Sequence, residues 1–154
     1  VGSRGVGKTS LVTRLLEDKF EAACKQTNGT YVLTHTLPLS DKTVKLDIFD
    51  NSGDESSTFF GSPNSTTALV YSVTDQASFE RVDVWYDKVE PQKCILVANK
   101  VDGSEPRMVT KEVGEEKAKE LNCRYIETSA QSGENVQELF KMVTDLDIGV
   151  PAEA

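Results

Sequence analysis

Gly2-Ser3-Arg4-Gly5-Val6-Gly7-Lys8-Thr9 has the residue types and spacing of a phosphate cradle, G-x-x-x-x-G-K-[ST]. Backbone N–H groups that wrap a polyphosphate leave no room for Cβ atoms. Gly2, Gly5 and Gly7 therefore supply bare, conformationally permissive backbone. Arg4, Gly5, Val6, Gly7, Lys8, Thr9 and Ser10 are the residues expected to line the phosphates. Lys8 would reach the β- and γ-phosphates as a point charge, and the Thr9 hydroxyl would ligate Mg²⁺. A helix beginning near Lys8 would aim its positive dipole end at the same place. The plainer alternative is a glycine-rich turn ahead of an ordinary helix.

A second group of residues bears on the base. A carboxylate can accept two hydrogen bonds, from the N1–H and the exocyclic amine of guanine, whereas adenine offers no such pair. In Asn99-Lys100-Val101-Asp102 the carboxylate of Asp102 suits that role, and Asn99 can brace the loop and contact the base. A backbone N–H from the turn Ser129-Ala130 would donate to the guanine O6 oxygen. A chance surface turn would also explain Asn-Lys-x-Asp, but not its company of a phosphate loop upstream and Thr128-Ser129-Ala130 downstream.

The rest of the chain must hold these loops together. Its 154 residues suit one domain with a real core, and 38% hydrophobic with 27% charged residues suit a soluble globular protein. The net charge of −8 argues against nucleic acid as the main partner. No apolar run approaches a membrane span, and no signal peptide is evident. Cys24, Cys94 and Cys123 are not in metal-ligand spacing and read as free thiols of a reducing compartment; His35 is the one histidine.

Thr30–Leu39 and Lys45–Phe49 read as a hairpin about the turn Ser40-Asp41-Lys42, with Tyr31, Leu33 and Leu37 on one face. Residues 50–66 read as a mobile loop. Ala68–Val73 and Cys94–Ala98 are short apolar runs of the kind buried in parallel sheets. Phe79, Val82, Tyr86 and Val89 are spaced for one face of a helix. Thr110 is an N-cap for a helix to about Leu121, Arg124–Glu127 is a strand, and Val136, Leu139, Phe140 and Val143 mark a last helix. The expected class is α/β with a mainly parallel sheet, one antiparallel hairpin strand and helices on both faces. Ligands bind at the carboxyl ends of such strands, which is where the phosphate loop, Asp50, Asn99–Asp102 and Ser129-Ala130 each fall. A phosphate loop normally follows a central strand, and only Val1 precedes Gly2. Residues 1–154 are thus expected to be a single domain lacking its first strand, part of a larger protein.

These motifs resemble the Ras-superfamily small GTPases, whose fold is the P-loop G domain, and the resemblance covers nearly the whole chain. Val73-Thr74-Asp75-Gln76-Ala77-Ser78-Phe79 with Trp85, Glu127-Thr128-Ser129-Ala130, and Asn135-Val136 near Phe140 look like the Rab branch. So does the spacing from Lys8 to Thr27 and to Asp50. The resemblance implies a GTP/GDP switch with Mg²⁺, served by effector, exchange-factor and GTPase-activating proteins in vesicle traffic or related signalling. Thr9 and Thr27 would be hydroxyl ligands of Mg²⁺, and Asp50 would hold the metal through water. The Gly53 N–H would sense the γ-phosphate, Phe20 would cross one face of the guanine, and Lys100 would pack its stem along the other. Gln131 stands where the family has lysine in S-A-K. The expected location is the cytoplasm, on the cytoplasmic face of membranes if a lipidated tail lies outside the printed chain. A monomer or part of a larger chain is expected.

The departures concern hydrolysis. Asp50-Asn51-Ser52-Gly53-Asp54-Glu55 stands where the family usually has D-T-A-G-Q-E. An ionised Asp54 cannot donate as glutamine does and would repel the γ-phosphate. Arg4 occupies the place of a small residue, where it would obstruct an incoming arginine finger or supply charge itself. Asn28-Gly29-Thr30-Tyr31-Val32 replaces the Rab I-G-x-D-F, and Phe49 replaces a tryptophan. The chain is shorter than a typical Rab from Gly53 to Tyr71 and from Trp85 to Asn99. Lys8, Thr27 and Asp54 are the expected catalytic set, with slow turnover. Two other readings stand beside this one. A pseudo-GTPase would act as a scaffold or as half of a tandem protein, and a P-loop ATPase or small-molecule kinase would prefer ATP. His35 is expected at the surface.

Overall fold

The structure is a computed structural model and describes residues 1–18, 30–38, 43–53, 65–91 and 93–147. Helix α1, Lys8–Glu17, starts after Gly7 in the left-handed region (φ 99°) and ends at Asp18, whose N–H bonds the Arg14 carbonyl. Strands β1, Thr30–Pro38, and β2, Thr43–Asn51, form the expected antiparallel hairpin, paired from Thr30↔Asn51 to Pro38↔Thr43. Its turn, and the side chains of Tyr31 and Leu37, lie outside the described residues. Strand β3, Thr66–Ser72, is followed by helices α2, Gln76–Glu80, and α3, Val82–Val89. Then come β4, Lys93–Asn99, helix α4, Lys111–Glu120, strand β5, Arg124–Glu127, and helix α5, Val136–Asp147. Strands β3, β4 and β5 pair in parallel in that order.

Side chains alternate across a strand, so the apolar runs of β3 and β4 serve two cores at once. Val70, Ile95, Val97 and Ile126 pack with Leu11, Val12 and Leu15 of α1 and Val136, Leu139 and Phe140 of α5. Leu69, Tyr71, Leu96 and Ala98 point the other way, against Val82 and Trp85 of α3 and Ala118 of α4. Helices thus cover both faces of the parallel sheet. Leu46 joins the hairpin to the α1/α5 core, with Leu33, Val44 and Ile48 packed on it.

The helix expected through Phe79 and Val82 is two helices divided at Arg81 (φ −83°, ψ −5°). Local hydrogen bonds explain the break. Asp75 caps α2 by accepting from the Ala77 N–H, and the Ser78 hydroxyl donates to the Asp75 carbonyl while accepting from the Ser72 N–H. The short first helix is thereby tied to the end of β3, and α3 restarts beyond it. Phe79 and Val82 still face one core, Phe79 meeting Tyr71 edge-on at 5.0 Å. Thr110 caps α4 as expected, accepting from the Val113 N–H at 3.3 Å. His35 is half-buried rather than at the surface, because it shares the Leu33 face and pairs with Leu46.

The two sheets share no pairing among the described residues. Val1 lies along the outer edge of β3, its nitrogen donating to the Ala68 carbonyl and its carbonyl accepting from the Val70 N–H, both at 2.8 Å. A cavity of about 210 Å³ opens between β2 and β3, lined by Val12, Leu46, Ile48, Ala68, Leu139 and Phe140 among others. It is largely apolar and lies apart from the phosphate loop's base-side neighbours.

Gly114 occupies the middle of α4 at a point of close approach. A Cβ there would overlap the Tyr71 hydroxyl and come within 2.8 Å of the Tyr125 ring. Gly→Ala inside a helix ordinarily stabilises by up to ~1 kcal/mol. Here the overlap reverses the sign, and Gly114→Ala is expected to destabilise by about 1–3 kcal/mol in thermal or urea unfolding. Adding Tyr71→Phe is expected to return part of that loss.

Candidate functional site

The phosphate loop runs from the edge of β3 into α1. Lys8 folds back over it, donating to the Gly2 carbonyl at 2.8 Å and the Ser3 carbonyl at 2.9 Å. Burial lowers the Lys8 pKa to about 8, with nearby Arg4 adding to the fall and Asp50 opposing it. A cation drawn partly out of water this way gains strongly from an anion set beside it. Val6 is fully buried, and Arg4 and Gly5 are exposed. Gly53, at the end of β2, lies so close to Arg4 that any Cβ would overlap the Arg4 backbone. The two stretches expected at the γ-phosphate are therefore in contact.

Asp50 is buried at the end of β2 and meets α1 there. Its Oδ2 accepts from the Thr9 hydroxyl at 2.7 Å, while its Oδ1 is buried without a hydrogen-bond partner among the described residues. An orphaned carboxylate oxygen beside a threonine hydroxyl is a hard oxygen donor set, which fits Mg²⁺ held partly through water and phosphate. No group of three or more histidine, cysteine or acidic side chains placed to hold a metal ion lies among the described residues.

The base side is built from the ends of β4 and β5. Asn99 is 1% exposed; its amide nitrogen donates to the Val6 carbonyl at 2.8 Å, and its Oδ1 accepts from the Thr128 hydroxyl at 3.0 Å. The bracing role expected of Asn99 is seen in these two hydrogen bonds. Gly7 must be glycine on two counts, a positive φ and a Cβ position that would overlap the Asn99 amide. Asp102 Oδ1 accepts from the Ser129 hydroxyl at 2.7 Å, and Oδ2 from the Ser104 N–H at 3.3 Å. Partial burial would raise the Asp102 pKa, but hydrogen bonds from Ser104 and Ser129 outweigh it and hold it below the ordinary carboxylate range. Lys100, half-buried, sits in the left-handed region (φ 67°). Ala130 is buried and Gln131 exposed.

Of the expected site residues, Arg4 to Ser10, Asp50, Gly53, Asn99, Lys100, Asp102 and Ser129 to Gln131 are brought to one rim. Phe20, Thr27 and Asp54 lie outside the described residues. Two residues that hold the rim escaped the sequence reading. Thr128 was visible only as a motif letter, and no local pattern links Arg14 to the distant Ala130 and Gln131 carbonyls that it bonds.

A phosphate loop facing a carboxylate-bearing loop across the carboxyl ends of a parallel sheet defines a nucleotide-binding α/β domain of the P-loop class. The Ras family model matches residues 1–147, and the chain belongs to that family. It is a Ras-superfamily small GTPase with a G-domain fold, a switch that binds GTP. Family members bind GTP and GDP, generally with Mg²⁺, and work through regulators and effectors.

Thr128→Val keeps shape but leaves the buried Asn99 Oδ1 without its donor. The loss of about 1–3 kcal/mol is expected to speed GDP release by roughly ten-fold or more, read by displacement of a fluorescent nucleotide. For Asp102 the sign follows from its depressed pKa. The ionised form persists as pH falls, so preference for GDP over ADP is expected to hold to about pH 5 and to fade only below the ordinary carboxylate pKa of ~4. Competition binding across that range checks it.

Proposed function

We propose that the chain is a Rab-like switch in vesicle traffic or related signalling that hydrolyses GTP slowly. The observation that carries guanine reading is the Asp102 carboxylate, held ionised by Ser104 and Ser129 beside a buried Asn99 that bonds the phosphate loop. Asp102 accepts from the guanine N1–H and amine, and Ser129 to Gln131 offer backbone N–H groups to O6. Lys100 covers one face of the base and Phe20 the other. Arg4 to Ser10 wrap the phosphates, with Lys8 exchanging its loop carbonyls for phosphate oxygens. Thr9, Thr27 and Asp50 hold Mg²⁺, which when bound neutralises charge on the phosphates. Gly53 and Thr27 contact the γ-phosphate, and losing those contacts releases the switch segments.

In hydrolysis, Lys8 and backbone N–H groups stabilise charge on the γ-phosphoryl group while Asp54, lacking a donor, fails to orient the water. The protein acts in the cytoplasm, meeting effector, exchange-factor and GTPase-activating proteins and no nucleic acid.

One observation favours a second reading, a static module held in one nucleotide state. Gly53 is pressed against Arg4, which would crowd the γ-phosphate and resist switching. Identification of the nucleotide that copurifies, with and without EDTA, separates the two. GDP released by EDTA is expected for the switch, and GTP retained through purification supports the module. In single-turnover assays Asp54→Gln is expected to raise the GTP hydrolysis rate by at least ten-fold, and equal rates would remove Asp54 from the account. Binding of ATP in preference to GTP would overturn guanine reading altogether.

A further inference from the structure

Arg14 lies in the last turn of α1, seven positions from the left-handed Gly7 that opens the helix. Its guanidinium reaches across to the turn after β5, far away in sequence. Nε donates to the Ala130 carbonyl at 2.7 Å, and Nη2 donates to the Gln131 carbonyl. Nη1 turns back to Asp18, 3.2 Å from Oδ1. The Asp18 side chain is 91% exposed while that of Arg14 is 17% exposed. An exposed i,i+4 pair of this kind contributes little. The two backbone carbonyls are the substantial partners, because a charged planar fork matched to two acceptors makes strong, directional hydrogen bonds.

What those carbonyls belong to matters more. In a trans peptide the C=O and N–H point in opposite directions, so pinning a carbonyl also aims the N–H across the same bond. Fixing the Ala130 and Gln131 carbonyls toward α1 therefore turns the Gln131 N–H, and the plane that follows it, away from α1. The neighbouring donors are already engaged: the Ser129 N–H bonds the Glu134 carbonyl, and the Ser132 N–H bonds the Ser129 hydroxyl. Among the described residues, the N–H groups of Ala130 and Gln131 take part in no hydrogen bond. Two open donors thus sit in a turn whose carbonyls are clamped, next to the Ser129 hydroxyl that bonds Asp102.

We infer that Arg14 is a positioning residue for guanine selectivity, clamping the Ala130–Gln131 turn so that the open Gln131 N–H faces the O6 of the base. The inference rests on the guanine reading of Asp102 and deepens it. It also makes α1 a shared support: the helix carries Lys8 and Thr9 at its start and Arg14 near its end. Phosphate and base contacts are then held by one rigid element.

The test separates O6 reading from general loosening. GDP and 6-thio-GDP share the N1–H and the exocyclic amine, and differ only where sulfur, larger and a weaker acceptor, replaces O6. Dissociation rates of both are measured for the wild type, Arg14→Ala, Arg14→Met and Arg14→Lys, with thermal unfolding of each. Arg14→Ala and Arg14→Met are expected to release GDP roughly ten-fold faster and to narrow the gap between GDP and 6-thio-GDP. Arg14→Lys, with a point charge that cannot span two carbonyls, is expected to fall between them and the wild type. Unchanged GDP release, or equal acceleration of both nucleotides, would overturn the clamp and leave Arg14 a structural residue. Asp102→Ala serves as the control for the reading beneath it. If that variant kept full preference for GDP over ADP, guanine reading itself would fall, and the clamp with it.

Discussion

The amide of Asn99 is the interaction on which the site's geometry depends. It is buried at the end of β4, gives a hydrogen bond to the Val6 carbonyl in the phosphate loop, and takes one from the Thr128 hydroxyl beyond β5. A buried amide cannot fall back on water, so each partner it loses costs about the desolvation of the group left behind. Three loops, separated by most of the chain, are fixed to one another because one side chain must be satisfied by all of them. Gly7 is shaped by the same demand, since the Asn99 amide fills the space that a Cβ would take.

The sheet makes that demand possible. Parallel strands place successive carboxyl ends side by side, so Ser72, Asn99 and the segment after Glu127 arrive at one rim without further design. The two cores, one on each face, keep those ends in register through Val70, Ile95, Val97 and Ile126 on one side and Leu69, Tyr71, Leu96 and Ala98 on the other. A polar network also steadies the rim. Glu127 accepts from Arg107 and, at 2.8 Å, from the Tyr125 hydroxyl. Partial burial would raise its pKa, but Arg107 and Tyr125 hold Glu127 ionised below its usual range. The loop that follows Asp102 is thus tied to the strand that leads into Ser129.

The phosphate half is arranged differently, around unmet demand. Lys8 is partly dehydrated and holds loop carbonyls, and among the described residues Asp50 keeps one oxygen unpaired beside the Thr9 hydroxyl. Such groups hold their geometry only while the fold around them is firm, and they reward a polyanion with its cation. The side chains of Asn99, Asp102, Thr128 and Ser129 satisfy one another within the fold, whereas one Asp50 oxygen and the Ala130 and Gln131 N–H groups are left open among the described residues.

Much of this was legible in the residues. The phosphate loop, Asn99 to Asp102 and Ser129-Ala130 declare their chemistry because each needs particular atoms at short spacing, and such patterns survive being read as letters. The strands of Ala68–Val73 and Cys94–Ala98 were equally plain, since only a sheet covered on both faces tolerates unbroken apolar runs. Tertiary structure alone decided what depends on distance between remote segments. It divided the helix at Arg81 through hydrogen bonds to the end of β3, drew His35 half inside opposite Leu46, and buried Asn99 between Val6 and Thr128. It also brought Arg14, while it keeps its ion pair with Asp18, to the carbonyls of a turn that no helical spacing would have paired with it. A sequence records which groups a chain possesses. Which of them are buried, and so compelled to find partners, is settled only when the chain is folded.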